Sequence, residues 1–403
     1  MKNDFKSSLQ QREFEALKDR HRVILRWATG CGKSKMTIDL VNNASKACKA
    51  PHAAFIVAER SHIKNWKDEF LKWGLDASID IDIMCYASLH KCKNKHYDIL
   101  ILDEAHHSFT EKRLEILDSI SADYIYALSA TLSEKRVIEL NSIFGRFITS
   151  TVSLKEAIKK DILPEPKVYV YSMELDNTTP DQTIKIGNLK NAPIVEWKDR
   201  NKYIFSKKPC TIKCTQKQKY DYLTQTMEYY KLRYERSQNQ MFRNIWVNTG
   251  SVRKRFLGEL KTAYTKQLIS SFDDSKRFIC FCASVNQAIE LDENHAIHSK
   301  RTSKGNQMLI NAFNDKSINR LYAVGMATEG LNLADIQAGI IVQLDGKERL
   351  FIQKFGRSLR AEDPIAYIFY FKNTQDEVYL KNALENIEEK FIKRININPT
   401  LKQ

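Results

Sequence analysis

The stretch WATGCGKSK, Trp27 to Lys35, decides the reading of this chain, together with LILDEAHHS, Leu100 to Ser108. A buried-looking run, Val23 to Leu25, precedes the first of them, and a helical pattern starts at Met36. The segment therefore reads as a strand, a glycine-bearing turn and a helix. Gly30 and Gly32 allow the backbone N–H groups of Thr29, Gly30, Cys31 and Gly32 to close around phosphate oxygens, and the start of the helix adds the positive end of its dipole. Lys33 would reach the β- and γ-phosphates of a nucleoside triphosphate, and Ser34 would ligate Mg²⁺. Trp27 stands where this loop pattern usually carries glycine or alanine.

The second stretch supplies the hydrolytic half. Asp98 to Leu102 (DILIL) is a short continuous apolar run of the kind that forms a buried parallel strand, and it ends in Asp103 and Glu104. Ligands of an α/β sheet sit at the carboxyl ends of its strands. Asp103 can hold the Mg²⁺ shell there, and Glu104 can polarise an attacking water.

Composition agrees with a large soluble enzyme. The 403 residues suffice for two or three domains, and 43% hydrophobic with 28% charged residues exclude a disordered chain. No apolar run approaches a bilayer span, and the N-terminus MKNDFKSSLQQREF lacks a signal-peptide core, so a cytoplasmic protein with no membrane partner is expected. The 8 cysteines form no CxxC pair and read as free thiols in a reducing compartment. A zinc site on Cys210 and Cys214, or on His295 and His298, is the weaker alternative, because a tetrahedral site needs four convergent ligands. The formal charge of +15 favours a polyanionic partner, with nucleic acid foremost.

Further along, Tyr124 to Leu128 reads as another strand, and it ends in Ser129, Ala130 and Thr131. The ordered set of phosphate loop, DEAH (Asp103 to His106), SAT (Ser129 to Thr131) and QKFGRSLR (Gln353 to Arg360) resembles the superfamily 2 helicases and translocases over nearly the whole chain. The resemblance implies two RecA-like α/β lobes, ATP and Mg²⁺ as cofactors, and nucleic acid as partner. It also implies roles for single residues. Gln11, or alternatively Gln10, would read adenine; Ser129 and Thr131 would couple hydrolysis to lobe movement by hydrogen bonding to the acidic motif. Arg60 and Asn65 in FIVAERSHIKNWKDEF lie where this family touches the nucleic-acid backbone, as do Ser284 and Thr328 in the second half. Trp66 and Phe70 in the same segment, at i and i+4, are read as packing the helix onto the sheet. Ser88 in YASLH, a segment similar to that of the XPB-like, RecG-like and UvsW-like branch, would contact a phosphate or cap a helix. Gly330 and Asn332, beside Glu329, match the motif that faces the nucleotide.

Gln353, Arg357 and Arg360, at i, i+4 and i+7, share one helical face. In the family that face meets the triphosphate across the cleft between the lobes, which would make Arg357 and Arg360 arginine fingers. Lys354 replaces the arginine often found after the glutamine and leaves both finger positions intact.

Pro164 and Pro166 cannot continue the helix pattern of Leu154 to Lys160, so a first domain of residues 1–163 and a second of 164–403 are expected. The second is interrupted at about 177–274 by a basic insert read as largely helical, with a break at Asn248-Thr249-Gly250-Ser251. Between Lys213 and Lys266 lie 12 Lys or Arg against 4 Asp or Glu, interleaved with aromatics. That composition suits either nucleic-acid contact, through Arg253, Lys254 and Arg255, or a solvated hairpin with its own small core.

The expected protein is thus an ATP-dependent helicase or translocase, a monomer or weak oligomer, acting on DNA in replication, recombination or repair. Its small size resembles phage-encoded members, so a phage-infected cell is one setting. An RNA helicase is the nearest alternative. A nucleic-acid-binding regulator switched by ATP, or the motor of a restriction or defence complex, would share the same motifs.

Overall fold

The computed structural model describes residues 2–325, 333, 335–344, 363–385 and 387–397. The first lobe is built on a six-stranded parallel sheet of β1 (Arg22–Trp27), β2 (His52–Val57), β3 (Asp80–Cys85), β4 (His96–Leu102), β5 (Ser121–Leu128) and β6 (Ile148–Val152), in the order β3-β2-β4-β5-β1-β6. Its helices are α1 (Lys2–Leu17), α2 (Lys33–Ser45), α3 (Arg60–Trp73), α4 (Glu111–Asp118) and α5 (Glu134–Phe144). The strands alternate strictly between two cores. Val23, Leu25, Phe55, Ile99 and Ile101 face α1, α2 and α3, whereas Ile24, Ile56, Leu100, Leu102 and Ile125 face α4 and α5. Burial on both faces explains why these strands read as unbroken apolar runs.

Trp27 belongs to the first of these cores. It is fully buried at the end of β1, and its indole N–H donates to Ser150 Oγ (2.8 Å), whose hydroxyl donates to Glu13 Oε2 (2.7 Å). The residue that departs from the usual loop pattern therefore ties β1, β6 and α1 together.

A short helix, α6 (Leu154–Lys159), leads out of the first lobe. Ser153 and Glu156 form a reciprocal capping box at its start. After the two prolines the chain enters β7 (Lys167–Met173), which already belongs to the second sheet. One apolar cluster runs from Leu25 and Leu40 through Ile158 and Leu163 to Val168, Ile279 and Ile368, so the two sheets share continuous packing.

The insert beyond β7 is helical over most of its length, but it begins as a sheet that its composition had not suggested. Residues 182–214 form a small sheet of β8 (Gln182–Ile186), β9 (Ile194–Glu196) and β10 (Cys210–Cys214), ordered β8-β10-β9, with α7 (Arg200–Ser206) alongside. Its apolar alternation is only two or three residues deep per strand, with Ile184, Val195 and Ile212 inward, and Lys and Thr between them hide it. A helical hairpin comes next, α8 (Gln216–Ser237) and α9 (Gln240–Leu260), and then α10 (Thr262–Ser270). The break expected at 248–251 is not there: α9 runs through it, and the chain turns instead at Gln238, which is left-handed, and Asn239, which caps α9. Ser251 stays helical by donating to Val247 O (3.1 Å), and Gly250 sits where an added Cβ would already touch Met227 of α8.

The second sheet has seven parallel strands: β7, β11 (Phe278–Cys282), β12 (Ala296–Ile297), β13 (Arg320–Val324), β14 (Ala338–Ile341), β15 (Ile365–Phe371) and β16 (Ile392–Asn396), ordered β12-β13-β11-β14-β15-β7-β16. Helices α11 (Val285–Asp292), α12 (Ser303–Asn314) and α13 (Gln375–Leu384) flank it. The hairpin is fastened to this lobe at its base. Lys261 and Asp376, both with fully buried side chains, pair at 2.7 Å, and Gln343 bridges them (3.1 and 2.8 Å). No described helix is long and apolar enough to cross a membrane.

Candidate active site

Strands β2, β4, β5 and β1 are neighbours, so the loops at their carboxyl ends converge on one edge of the first sheet. The loop after β1 turns at Gly30 (φ 93°) and Gly32 (φ 91°), a region that disfavours any side chain. Space forbids one as well. A Cβ at Gly32 would lie 1.9 Å from Gln10 Nε2, and one at Gly30 would lie 3.0 Å from Leu163 of the interlobe connection. Helix α1 fastens the loop from outside, with Lys6 Nζ donating to Gly30 O (2.8 Å) and Gln10 Nε2 to Cys31 O (3.3 Å). Thr29 is half-buried in the turn, and burial pushes the Cys31 thiol up to about 11, so Cys31 stays protonated and serves the loop through its backbone. Lys33 Nζ lies against Trp27 O (2.8 Å), and the half-buried Ser34 hydroxyl has no hydrogen-bond partner among the described residues.

The acidic motif is held by a chain of polar contacts. Asp103 Oδ1 accepts the Glu104 N–H (3.0 Å), and Oδ2 accepts the indole N–H of Trp66 from α3 (2.8 Å) and lies 4.0 Å from His62 Nδ1. Glu104 itself adopts a left-handed backbone (φ 45°), an unusual conformation for a side-chain-bearing residue and one that clusters at functional sites. Its Oε2 lies 3.3 Å from His106 Nδ1, and the same nitrogen lies 3.4 Å from Ser129 Oγ at the end of β5. Ser129 Oγ in turn accepts the Thr131 N–H (3.2 Å). Arg136 and Arg113 donate to the carbonyls of His106 (2.8 Å) and His107 (2.6 Å), and Ser108 donates to the hydroxyl of Tyr86 (3.2 Å) from YASLH.

The two carboxyls are driven apart. Burial and the adjacent Glu104 raise Asp103 above its ordinary value, against the Trp66 hydrogen bond and the His62 and Lys33 charges. Burial pushes Glu104 upward too, but the His106 hydrogen bond and the charges of Lys33, His106 and His62 outweigh it and hold Glu104 low. An ionised carboxylate beside a lysine and a glycine-rich turn can orient water and accept a proton. The donor set also fits a magnesium nucleotide: the positive-φ turn leads into Lys33 and the Ser34 hydroxyl, and the Lys33 charge acts on both Asp103 and Glu104. Among the described residues, His62 Nε2, His106 Nε2 and Thr131 Oγ1 are buried here without a hydrogen-bond partner.

Other expected site residues are distributed less simply. Gln10 is buried under the phosphate loop, while Gln11 is exposed and donates to Glu15 (3.0 Å); both line a cavity of about 350 Å³ between α1 and α2, with Phe14, Lys35 and Asp39. Arg60 is exposed at the first turn of α3 and Asn65 is half-buried. Ser88 lies inside a 3₁₀ turn (Tyr86–Cys92) whose N-cap is Cys85, so it is not a helix cap. Ser284 caps α11 by accepting from Gln287 N (3.2 Å) and donates to Glu259 (2.9 Å). Arg253 is buried, not presented to solvent, bonding Thr224 (3.1 Å) and Gln375 (3.3 Å) above the Tyr220 ring. Lys254 is half-buried and Arg255 exposed. The hairpin aromatics pair with one another, Tyr234 on Trp246 and Tyr230 with Phe242, as a small core would. Thr328, Glu329, Gly330, Asn332, Gln353, Arg357 and Arg360 lie outside the described residues. Cys210 and Cys214 are buried free thiols.

Trp66 is the site residue that sequence reading assigned elsewhere. Its spacing to Phe70 pointed to packing, which is present, with Phe55 and Phe70 centroids at 5.4 and 5.9 Å. Nothing local in the sequence pointed to the bond with Asp103, 37 residues away.

Comparison with known proteins gives the same picture. Residues 2–134 match the family described as "Type III restriction enzyme, res subunit", and residues 260–362 match "Helicase conserved C-terminal domain". A stretch of 149 residues is 26% identical to the ATP-dependent RNA helicase DRS1 of Debaryomyces hansenii, covering 34% of this chain and only 19% of that protein. Among solved structures, S. cerevisiae Dbp5 bound to RNA and ADP BeF3 superposes with a TM-score of 0.58 at 12% identity, covering 96% of this chain and 89% of that one. The ATP-dependent Type ISP restriction-modification enzyme LlaBIII bound to DNA superposes at 0.57 and 12% identity, covering 99% of this chain but 31% of the enzyme. At these identities the structural likenesses speak for the fold: two RecA-like lobes.

Proposed function

We propose that this chain, a superfamily 2 helicase by its two domain matches, hydrolyses ATP at the junction of its lobes to translocate on or remodel nucleic acid, with DNA as its track. The observation that carries the reading is the contact chain Glu104–His106–Ser129–Thr131, which links the hydrolytic carboxylate to the end of the neighbouring strand.

In this reading the turn from Thr29 to Gly32 and the Lys33 ammonium bind the phosphates, and Gln10 or Gln11 faces the base at the α1–α2 cavity. Ser34 and Asp103 would hold Mg²⁺, which when bound neutralises phosphate charge. Glu104, kept ionised, orients the attacking water and takes its proton. Arg357 and Arg360 would approach the γ-phosphate as the lobes close, with Gln353 beside them; Gly330 and Asn332 would face the nucleotide and Thr328 the track. Ser129 and Thr131 sense the state of the acidic motif through His106, so a change at the phosphates reaches the strand end that supports them. Arg60, Asn65 and Ser88 would grip the backbone from the first lobe.

The preference for DNA is supported by the resemblance of YASLH and DEAHH to the branch that works in replication, recombination and repair. RNA is the second reading, favoured by the relatives named as RNA helicases or bound to RNA. One assay separates them: ATPase stimulation by single-stranded DNA, duplex DNA, forked DNA and RNA at a single stated salt concentration. Stimulation strongest with a DNA form is expected. Absence of any Glu104-dependent stimulation would replace the motor by an ATP-switched binding protein.

A further inference from the structure

Helix α3 reaches the nucleotide site through one face. His62 and Trp66, at i and i+4, both point at the same oxygen of Asp103: the indole N–H of Trp66 donates to Oδ2 at 2.8 Å, and His62 Nδ1 stands 4.0 Å from it. Trp66 is 5% exposed and held between Phe55 of β2 and Phe70, so its ring has little freedom to swing away. The other Asp103 oxygen is taken by the Glu104 N–H. The orientation of this carboxyl is thus set from two sides, by its own loop and by α3. The first turn of the same helix also carries Arg60, which is exposed, and its N-cap residue Glu59 makes no side-chain cap hydrogen bond. Arg60 to Trp66 spans roughly 9 Å of rigid helix at about 1.5 Å per residue.

We infer that Trp66 is a positioning residue that transmits the placement of α3 to the Asp103 carboxyl, so that engagement of a strand at the first turn of α3 alters how Asp103 is presented to the magnesium nucleotide. The inference rests on the function proposed above and deepens it. A helix that moves as a rod carries its indole N–H with it, and the oxygen it bonds must follow or lose its partner. Residues that hold a ligating group in this way are worth roughly 10–100-fold in metal affinity or activity.

The test uses Trp66→Phe, which keeps a ring between Phe55 and Phe70 and removes only the donor, beside Trp73→Phe as a control at the far end of α3, where the indole bonds Glu69. With saturating ATP and oligonucleotide, Trp66→Phe should raise the Mg²⁺ concentration for half-maximal turnover about tenfold, with KM for ATP and the melting temperature little changed; Trp73→Phe should leave it at the wild-type value. A second measurement needs neither metal nor nucleotide. In ¹⁵N-labelled protein, the indole N–H resonance missing from Trp66→Phe should move in Asp103→Asn and again when a single-stranded oligonucleotide is added to the wild type. An unchanged Mg²⁺ dependence in Trp66→Phe, or an indole resonance indifferent to Asp103→Asn or to the oligonucleotide, overturns the inference. If the wild type shows no nucleic-acid-stimulated ATPase, the proposed function fails instead, while the response to Asp103→Asn still decides whether Trp66 positions the carboxyl.

Discussion

Replacing Lys261 by methionine should loosen the second lobe more than any other single substitution at the base of the hairpin. Both members of the Lys261–Asp376 pair have fully buried side chains, 2.7 Å apart. Burial draws Lys261 below its ordinary value while Asp376 pulls it back up, so each charge depends on the other. Asp376 also accepts from Gln343 Nε2 (2.8 Å) and Phe371 N (3.2 Å), contacts that cannot replace a cation. Removing one partner of such a pair costs about 3–5 kcal/mol, because the other charge is stranded. At about 2–4 °C per kcal/mol for a lobe of this size, the melting midpoint should fall by roughly 6–20 °C, read by circular dichroism. One further signature comes from the same mechanism. The double variant Lys261→Met/Asp376→Leu should recover most of the loss, because no charge is left behind. A single variant within about 1 kcal/mol of wild type, or a double variant no better than the single, would refute this account of the pair.

Glu104→Gln should lower turnover by about 10²–10⁴ with nucleotide binding retained, measured by steady-state ATPase and a nucleotide titration; wild-type turnover would remove Glu104 from the reaction. Arg253→Ala should cost about 1–3 kcal/mol of stability through the hydrogen bonds it leaves unmade, and leave the salt dependence of nucleic-acid affinity unchanged. Arg255→Ala, at an exposed position of the same helix, should instead reduce the slope of log affinity against log salt by about 1 without loss of stability, and an unchanged slope would assign the hairpin to packing alone. The Thr178 hydroxyl and backbone N–H, with Thr179, hold Asp176 at about 2, below its ordinary 3.8. A carboxylate with a depressed folded value stabilises above its unfolded value and loses that contribution as the pH falls. The stability deficit of Asp176→Ala should therefore be full at neutral pH and vanish in acid denaturation series as the pH drops through about 4 towards 2.

The parts of the molecule that could be read from sequence are those fixed by local chemistry. A strand ending in a glycine-rich turn, an apolar strand ending in Asp103 and Glu104, and a third ending in Ser129 each carry their geometry in a few consecutive residues, and all three lie on adjacent strands. What escaped depends on distant partners. Trp27 looked like a flaw in the loop pattern because Ser150, which accepts the hydrogen bond of its indole N–H, lies 123 residues away. Arg253 looked like a surface cation in a basic run, yet Gln375, 122 residues on, shares its guanidinium. The turn-forming composition of Asn248 to Ser251 was overruled by close packing of α9 on α8, and the short strands β8 to β10 carry too little alternation to stand out against their lysines.

The close approach of Leu163 to Gly30 gives the interlobe connection a bearing on nucleotide binding. The glycine turn is backed by the very segment that joins the halves of the protein, so loop and tether are in direct contact. Anyone cutting the chain at the prolines to study the halves separately would loosen that backing. The isolated first half would then report on a phosphate loop without the backing it has in the intact molecule.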